Sequence, residues 1–136
     1  RPNFCKITMV TFKTSNPFSC GIVDMNKQNI VLNMHEKKVG NYGNLANGAI
    51  YIIESSVLDF IMKNPKINDF STEVIPNFFG KIIAWYNQGI HRDIGSIDEL
   101  RKAQFDKIVS PNWSIDDEWQ KQFLKMKIHD LINPIN

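Results

Sequence analysis

The sequence predicts an α/β or α+β domain, and three observations carry that reading. Short runs rich in β-branched and apolar residues fill much of residues 7–54 and return at 81–86, as strands do. Two of these runs are separated by the polar quartet Asn26-Lys27-Gln28-Asn29, which reads as a β-hairpin. Helix-start signals at Ser56, Asp69, Ser96 and Ser114 precede apolar residues at helical spacing, so strands are followed by helices.

The elements follow in order. Residues 7–12 form the first strand, which ends at the polar cluster 13–16 and Pro17. Residues 20–25 and 30–35 are the two arms of the hairpin. Residues 39–48 carry three glycines and three asparagines, residue types that tolerate positive φ, and read as a loop with a tight bend. Residues 49–54 are nearly continuously apolar and suit a buried strand. Ser56 and Asp59 make a variant capping box that opens a short helix ending before Pro65. Asp69 caps a second helix with Glu73 as its early acid; Pro76 lies in its first turns and Gly80 stops it. A strand at 81–86, a turn at Asn87-Gln88-Gly89 and a short extended piece at 90–94 come next. Ser96-Ile97-Asp98-Glu99 is a full capping box, and its helix runs through Leu100, Ala103 and Phe105. After the linker Ser110-Pro111-Asn112, a last helix over 114–132 sets Trp119, Phe123 and Met126 on one stripe.

Composition bounds the function classes. With 43% hydrophobic and 22% charged residues in 136, the chain is an ordinary globular domain and neither a disordered tail nor a fibre. Lys plus Arg total 16 against 14 for Asp plus Glu, and the resulting +2 gives no ground for a nucleic-acid or anionic-membrane partner. The longest apolar runs, such as 49–53, fall far short of the roughly 20 residues that span a bilayer. Cys5 and Cys20 read as buried thiols of a reducing compartment, with a single bridge as the alternative, and the expected location is the cytoplasm. The chain opens on Arg1 with no initiator Met and no signal-peptide profile.

Three segments hold more polar residues at strand ends than packing requires. In His35-Glu36-Lys37-Lys38, strand alternation sends Glu36 and Lys37 to opposite faces, leaving one to meet a hydroxyl and the other an anion; the alternative is a solvated charge run. Residues 43–48 combine small residues with Asn47, whose amide suits a hydroxyl-bearing ligand, or they form no more than a tight turn. In 91–96, Asp93 stands three residues ahead of the Ser96 cap, free to ligate Mg²⁺ or to pair with Arg92 or a helix amide. His35, His91 and His129 are too far apart for a zinc spacing, and no phosphate-cradling glycine motif or G-x-S-x-G elbow occurs.

Taken in order, these segments resemble the sugar-phosphate nucleotidyltransferase family over about 7–104. The resemblance rests on Ser19-Cys20-Gly21-Ile22-Val23, on His35-Glu36-Lys37 as the Glu-Lys signature, and on 43–51 as an N-x-G-x-Y-like strand entry. Residues 69–76 match the segment before the family's next helix, and 91–96 its W-x-D-x-G-T motif. Within the family the flavour is that of mannose-1-phosphate or heptose-1-phosphate guanylyltransferases. His91 departs from the usual Trp, which bears on sugar packing, and Lys38 from the Pro that often follows Glu-Lys.

The resemblance implies the C-terminal portion of a Rossmann-like domain, a mixed sheet with a β-hairpin and flanking helices. Residues 1–109 are then the acceptor, sugar-phosphate half, and 110–136 a C-terminal helical extension that caps the missing half or pairs subunits in a homo-oligomer. By resemblance, Lys37 grips the sugar phosphate, Asp93 holds Mg²⁺, Glu36 accepts sugar hydroxyls, and Gly21 and Asn47 line the sugar pocket. The implied partners are a nucleoside triphosphate and a sugar 1-phosphate, joined to a nucleotide-sugar with release of pyrophosphate. The family's G-x-G-x-R loop, activating lysine and first metal-binding aspartate are not in these residues. Arg1 is therefore expected to mark a break inside a larger domain, the sheet to keep a bare apolar face or open edge, and the chain alone to lack turnover. The rival expectation is a non-catalytic paralogue or regulatory subunit that binds a sugar nucleotide.

Overall fold

A computed structural model describes residues 1–37, 40–107, 122, 125 and 126. The chain divides into two compact units, Arg1–His91 and Arg92–Asn136.

The first unit is an α/β structure built on five strands: β1 (Ile7–Lys13), β2 (Gly21–Met25), β3 (Val31–Glu36), β4 (Leu45–Ile53) and β5 (Ile82–Tyr86). They lie in the order β3-β2-β4-β1-β5. β1 pairs parallel with β5 and antiparallel with β4, and β2 pairs antiparallel with both β3 and β4, so the sheet is mixed as expected. Helix α1 (Ser55–Lys63), a π-turn (Phe70–Val74) and a 3-10 turn (Ile75–Phe78) connect β4 to β5.

Period-2 alternation decides which side chains form the core. Along β1, Ile7, Met9 and Thr11 are fully buried while the residues between them are not. They pack with Val23, Val31 and Ile82 of the neighbouring strands and with Val57, Val74, Ile75 and Phe78 from the connecting segment. Burying each such side chain stabilises the fold by about 1.5–3 kcal/mol. Thr11 is the one buried polar residue of this core, and its hydroxyl is satisfied by donating to Trp85 O at 3.2 Å. The other sheet face is apolar and open: Ile50, Ile52 and Trp85 are 55%, 69% and 57% exposed. The sheet edges meet at one point, where Ile30 bridges Ile83, Gly80 N donates to Val31 O and Ala84 N to Asn29 O, each at 2.8 Å.

The hairpin turn forms as its sequence predicts. Asn26 Oδ1 accepts from the amides of Gln28 and Ile30, and Asn29 takes the left-handed conformation at φ 60°. Elsewhere the structure corrects the sequence reading. β4 begins at Leu45 and not at residue 49: Leu45, Ala46 and Asn47 already pair with β1, and a bulge between Asn47 and Tyr51 carries the strand through Gly48 and Ala49. Helix α1 starts at Ser55 with Glu54 at its N-cap and no side-chain cap, so Ser56 and Asp59 make no capping box; the strand runs straight into the helix and Val57 N donates to Glu54 O. Glu54 instead pairs with Arg1 and Lys6.

The expected helix over 69–79 is a π-turn followed by a 3-10 turn. Pro76 has no amide proton for an α-helical bond to Thr72 O, and Ile75 N reaches back five residues to Phe70 O. Asp69 caps the segment, as expected: Thr72 N donates to its Oδ1 at 2.7 Å. Cys5 and Cys20 are both free and both precede strands rather than lying within them, and 90–94 form no strand.

In the second unit, Ser96 caps α2 (Ile97–Ala103), accepting from Glu99 N. The domain boundary expected between 109 and 110 and the helix expected over 114–132 lie outside the described residues.

Candidate functional site

Strand register builds the polar corner of the first unit. Gly21, the first residue of β2, stands directly opposite Glu36, the last of β3. A Cβ on Gly21 would lie 2.5 Å from Glu36 Oε2 and 3.1 Å from Met34 Sδ. The glycine thus lets the flexible end of Glu36 lie across the strand, a place any larger residue would take from it, which accounts for a residue of low strand propensity at the start of a buried strand.

Lys37 follows, and here strand alternation does not hold. Its φ of 47° places it in the left-handed region, where β3 has ended, and its amide donates to Cys20 O at 3.2 Å. The side chain leaves on a turn and not on the opposite sheet face, at a backbone cost of about 1 kcal/mol for a residue with a Cβ. His35, one step earlier, is fixed from two sides: its Nε2 is 2.7 Å from Asp24 Oδ2, and its ring stacks on Tyr42 at 3.9 Å.

Glu36 faces the π-turn across a cavity of about 300 Å³ lined by Asn33, Met34, Glu36, Ser71, Thr72, Pro76 and Phe79. Asp69 closes that turn. Hydrogen bonds from the Thr72 amide and hydroxyl hold its carboxyl below the usual range, with smaller help from the Ser71 amide and the charge of Lys37. Glu73 Oε2 returns the arrangement by accepting from the amides of Asn68 and Asp69.

Asn47 is on the same unit but spends its amide on the fold. Its Oδ1 accepts from Ala49 N at 3.0 Å, and its Nδ2 donates to Tyr51 Oη at 2.6 Å. Between them, Ala49 adopts φ 54°, the conformation for which the N-x-G-x-Y pattern carries glycine. Asn47 thus clamps the bulge that re-aims β4. A Cβ on Gly48 would lie against Val10 O and the His91 ring, and His91 in turn packs on Phe12 with ring centroids 4.1 Å apart and planes tilted by 32°.

Asp93 is in the second unit and is exposed. It does not pair with Arg92: that guanidinium donates to both Asp106 oxygens at 2.7 Å and to Glu99 at 2.8 Å. Asp93 Oδ1 accepts from Gly95 N at 3.1 Å. No group of three or more His, Cys, Asp or Glu suited to a metal occurs among the described residues. One exposed carboxylate fits Mg²⁺, which takes few protein oxygens and fills its octahedron with water and phosphate.

Sequence reasoning found Gly21, Glu36 and Lys37, and the structure brings these three together at one corner. It missed Asn33, on the same strand as Glu36, and Ser71 and Thr72, which approach Glu36 only across the fold; the Asp69 cap was the one local signal for the latter two.

Among the described residues no helix is long and apolar enough to cross a membrane. The model of the nucleotidyl transferase family matches residues 2–108. The chain is 32% identical over 100 residues to a glucose-1-phosphate adenylyltransferase of Clostridioides difficile, covering 67% of this chain and 26% of that protein. Glucose-1-phosphate adenylyltransferases of Clostridium beijerinckii and Clostridium botulinum are each 29% identical, covering 74% and 68% of this chain and 28% and 26% of their own lengths. The chain spans about a quarter of the length of these curated relatives. With a match over most of its length and a mixed α/β sheet beneath it, the chain belongs to the nucleotidyl transferase family.

Proposed function

We propose that this chain provides the sugar 1-phosphate side of an enzyme that transfers a nucleoside monophosphate from its triphosphate to a sugar 1-phosphate, releasing pyrophosphate. The observation that carries the reading is the Gly21–Glu36 register pair with Lys37 directly after it: an acceptor carboxylate laid over a glycine, then a cation on a turn. Glu36 accepts hydrogen bonds from sugar hydroxyls, and Lys37 neutralises the phosphate as a point charge. Gly21 leaves room for the Glu36 carboxylate to lie across the strand, and Asn47 holds the β4 bulge through Ala49 N.

In-line attack of a sugar phosphate oxygen on the α-phosphorus needs positioning and charge neutralisation more than a proton relay. Asp93 is the residue that would hold Mg²⁺, by the oxygen not engaged with Gly95. The ion, when bound, supplies charge neutralisation at the phosphates. The names of the relatives favour glucose 1-phosphate and adenylyl transfer as the first pair to assay, with the mannose and heptose guanylyl pairs next.

In the full-length protein, Lys37→Ala or Asp93→Ala is expected to abolish pyrophosphate release. Wild-type turnover in either variant contradicts the assignment. A second reading, a sugar-nucleotide-binding regulatory paralogue, is favoured by His91, which stands at the motif's Trp position and packs on Phe12. Tight sugar-nucleotide binding without pyrophosphate release from any of these pairs distinguishes it.

A further inference from the structure

The cavity beside Glu36 has a second wall that the proposed roles leave unused. Its β3 side brings the Glu36 carboxylate, Asn33 and the Met34 thioether; the other side brings Ser71 and Thr72 from the π-turn, with Phe79 below. At about 300 Å³ it is at the small end of ligand pockets, with room for one monosaccharide ring. Its lining suits such a ring: polar groups converge from two directions, while Met34 and Phe79 offer surface to C–H faces.

The hydroxyls of the two walls are not equivalent. Thr72 Oγ1 already donates to Asp69 Oδ1 at 2.8 Å. Ser71 is half-buried, and its hydroxyl makes no hydrogen bond to another described residue and is open to solvent, free to take a ligand's hydroxyl as partner. The turn that presents it is fixed by the Asp69 cap, the Glu73 carboxylate and the five-residue bond from Ile75 to Phe70, so Ser71 is held by backbone geometry and not by its own side chain.

We propose that the π-turn is the specificity wall of the sugar pocket. Ser71 Oγ hydrogen-bonds a ring hydroxyl of the acceptor monosaccharide on the side opposite Glu36. The inference rests on the sugar 1-phosphate reading above and deepens it. Glu36 and Lys37 hold any sugar 1-phosphate by one hydroxyl and the phosphate, whereas Ser71 makes the site sensitive to the configuration of a second hydroxyl. A hydroxyl pointing away from Ser71 forfeits that bond and leaves the pocket's polar wall unpaired.

The test is a calorimetric and amide-NMR titration of the 136-residue chain with α-D-glucose 1-phosphate, α-D-mannose 1-phosphate and inorganic phosphate, for wild type, Ser71→Ala and Ser71→Leu. Circular dichroism and thermal unfolding of each variant establish that it is folded. Ser71→Ala is expected to weaken the preferred sugar 1-phosphate about five-fold, the worth of one neutral hydrogen bond, and to narrow the ratio between the two sugars. Ser71→Leu fills the cavity and is expected to weaken both sugars by about ten-fold or more, with inorganic phosphate unchanged. Unchanged affinity and unchanged sugar ratio in both folded variants, with shifts confined to Gly21, Glu36 and Lys37, overturn the role of Ser71 and leave the broader reading standing. No sugar 1-phosphate binding by the wild type overturns both.

Discussion

The Gly21–Glu36–Lys37 corner and the Asp93 segment carry the same kind of sequence signal, polar residues at the end of an apolar run, yet they are held in different ways. At the first, strand register sets the geometry: Gly21 is buried opposite Glu36, and a single added carbon meets the carboxylate at 2.5 Å. At the second, an exposed aspartate closes a short turn on Gly95, next to an arginine anchored by two carboxylates. A site built by register tolerates almost no change in side-chain volume. A site built by turns and ion pairs responds to charge and pH.

The largest effect expected from that contrast is at Gly21. In Gly21→Val the new side chain occupies the place of the Glu36 carboxylate, whose flexible end must swing away, so the fold survives while sugar 1-phosphate binding drops by more than about ten-fold. Calorimetry and a thermal melt check the two halves of that statement, and retained binding breaks the comparison.

Lys37→Gly separates strain from function. Relief of the left-handed backbone at φ 47° is expected to raise stability by about 1 kcal/mol in denaturant unfolding, while phosphate affinity is lost with the ammonium. Destabilisation by this change refutes the strain.

The pH response of the second unit should come from its ion-paired carboxylates. Hydrogen bonds from Arg92 hold Asp106 below its ordinary 3.8, and those from Lys102 and then Arg92 hold Glu99 below its ordinary 4.5. A depressed carboxyl contributes stability that is fully present above its ordinary value and is lost as pH falls through the lower, folded one. The protection of the Leu100 and Gln104 amides, their exchange rates taken relative to those of an unstructured amide at the same pH, should therefore fall below about pH 4. Protection that is flat through the acid range contradicts the ion-pair account. The smallest effect is at Ala49, where Ala49→Gly is expected to add about 1 kcal/mol or less, because glycine suits φ 54° without strain. A loss of stability there shows that the alanine methyl packs usefully.

How far the sequence was legible follows from how local each cause is. The Asn26–Asn29 turn and the Ser96 cap were readable because the groups that satisfy them are within a few residues. The start of β4 was not, because Asn47 and Gly48 look like loop residues until Asn47 pairs with Thr11 and the bulge that follows continues the strand. Pro76 was legible as a helix-tolerated residue but not as the cause of a π-turn, since that depends on which carbonyl Ile75 reaches. At the candidate site, Gly21 and Glu36 were found by resemblance, and their reason for being together lies in pairing across the hairpin. For Ser71 the Asp69 cap signalled a turn but not a place in the site, since Ser71 shares a cavity with Glu36 only once the segment after α1 is folded.

The central claim is that the corner of Gly21, Glu36 and Lys37 receives a sugar 1-phosphate. Its most direct test is to titrate the isotopically labelled chain with α-D-glucose 1-phosphate and follow the backbone amides. Saturable shifts centred on Gly21, Glu36 and Lys37, lost in Lys37→Ala, are the predicted result. Saturable shifts centred elsewhere, or none up to millimolar ligand for every sugar 1-phosphate tried, contradict it.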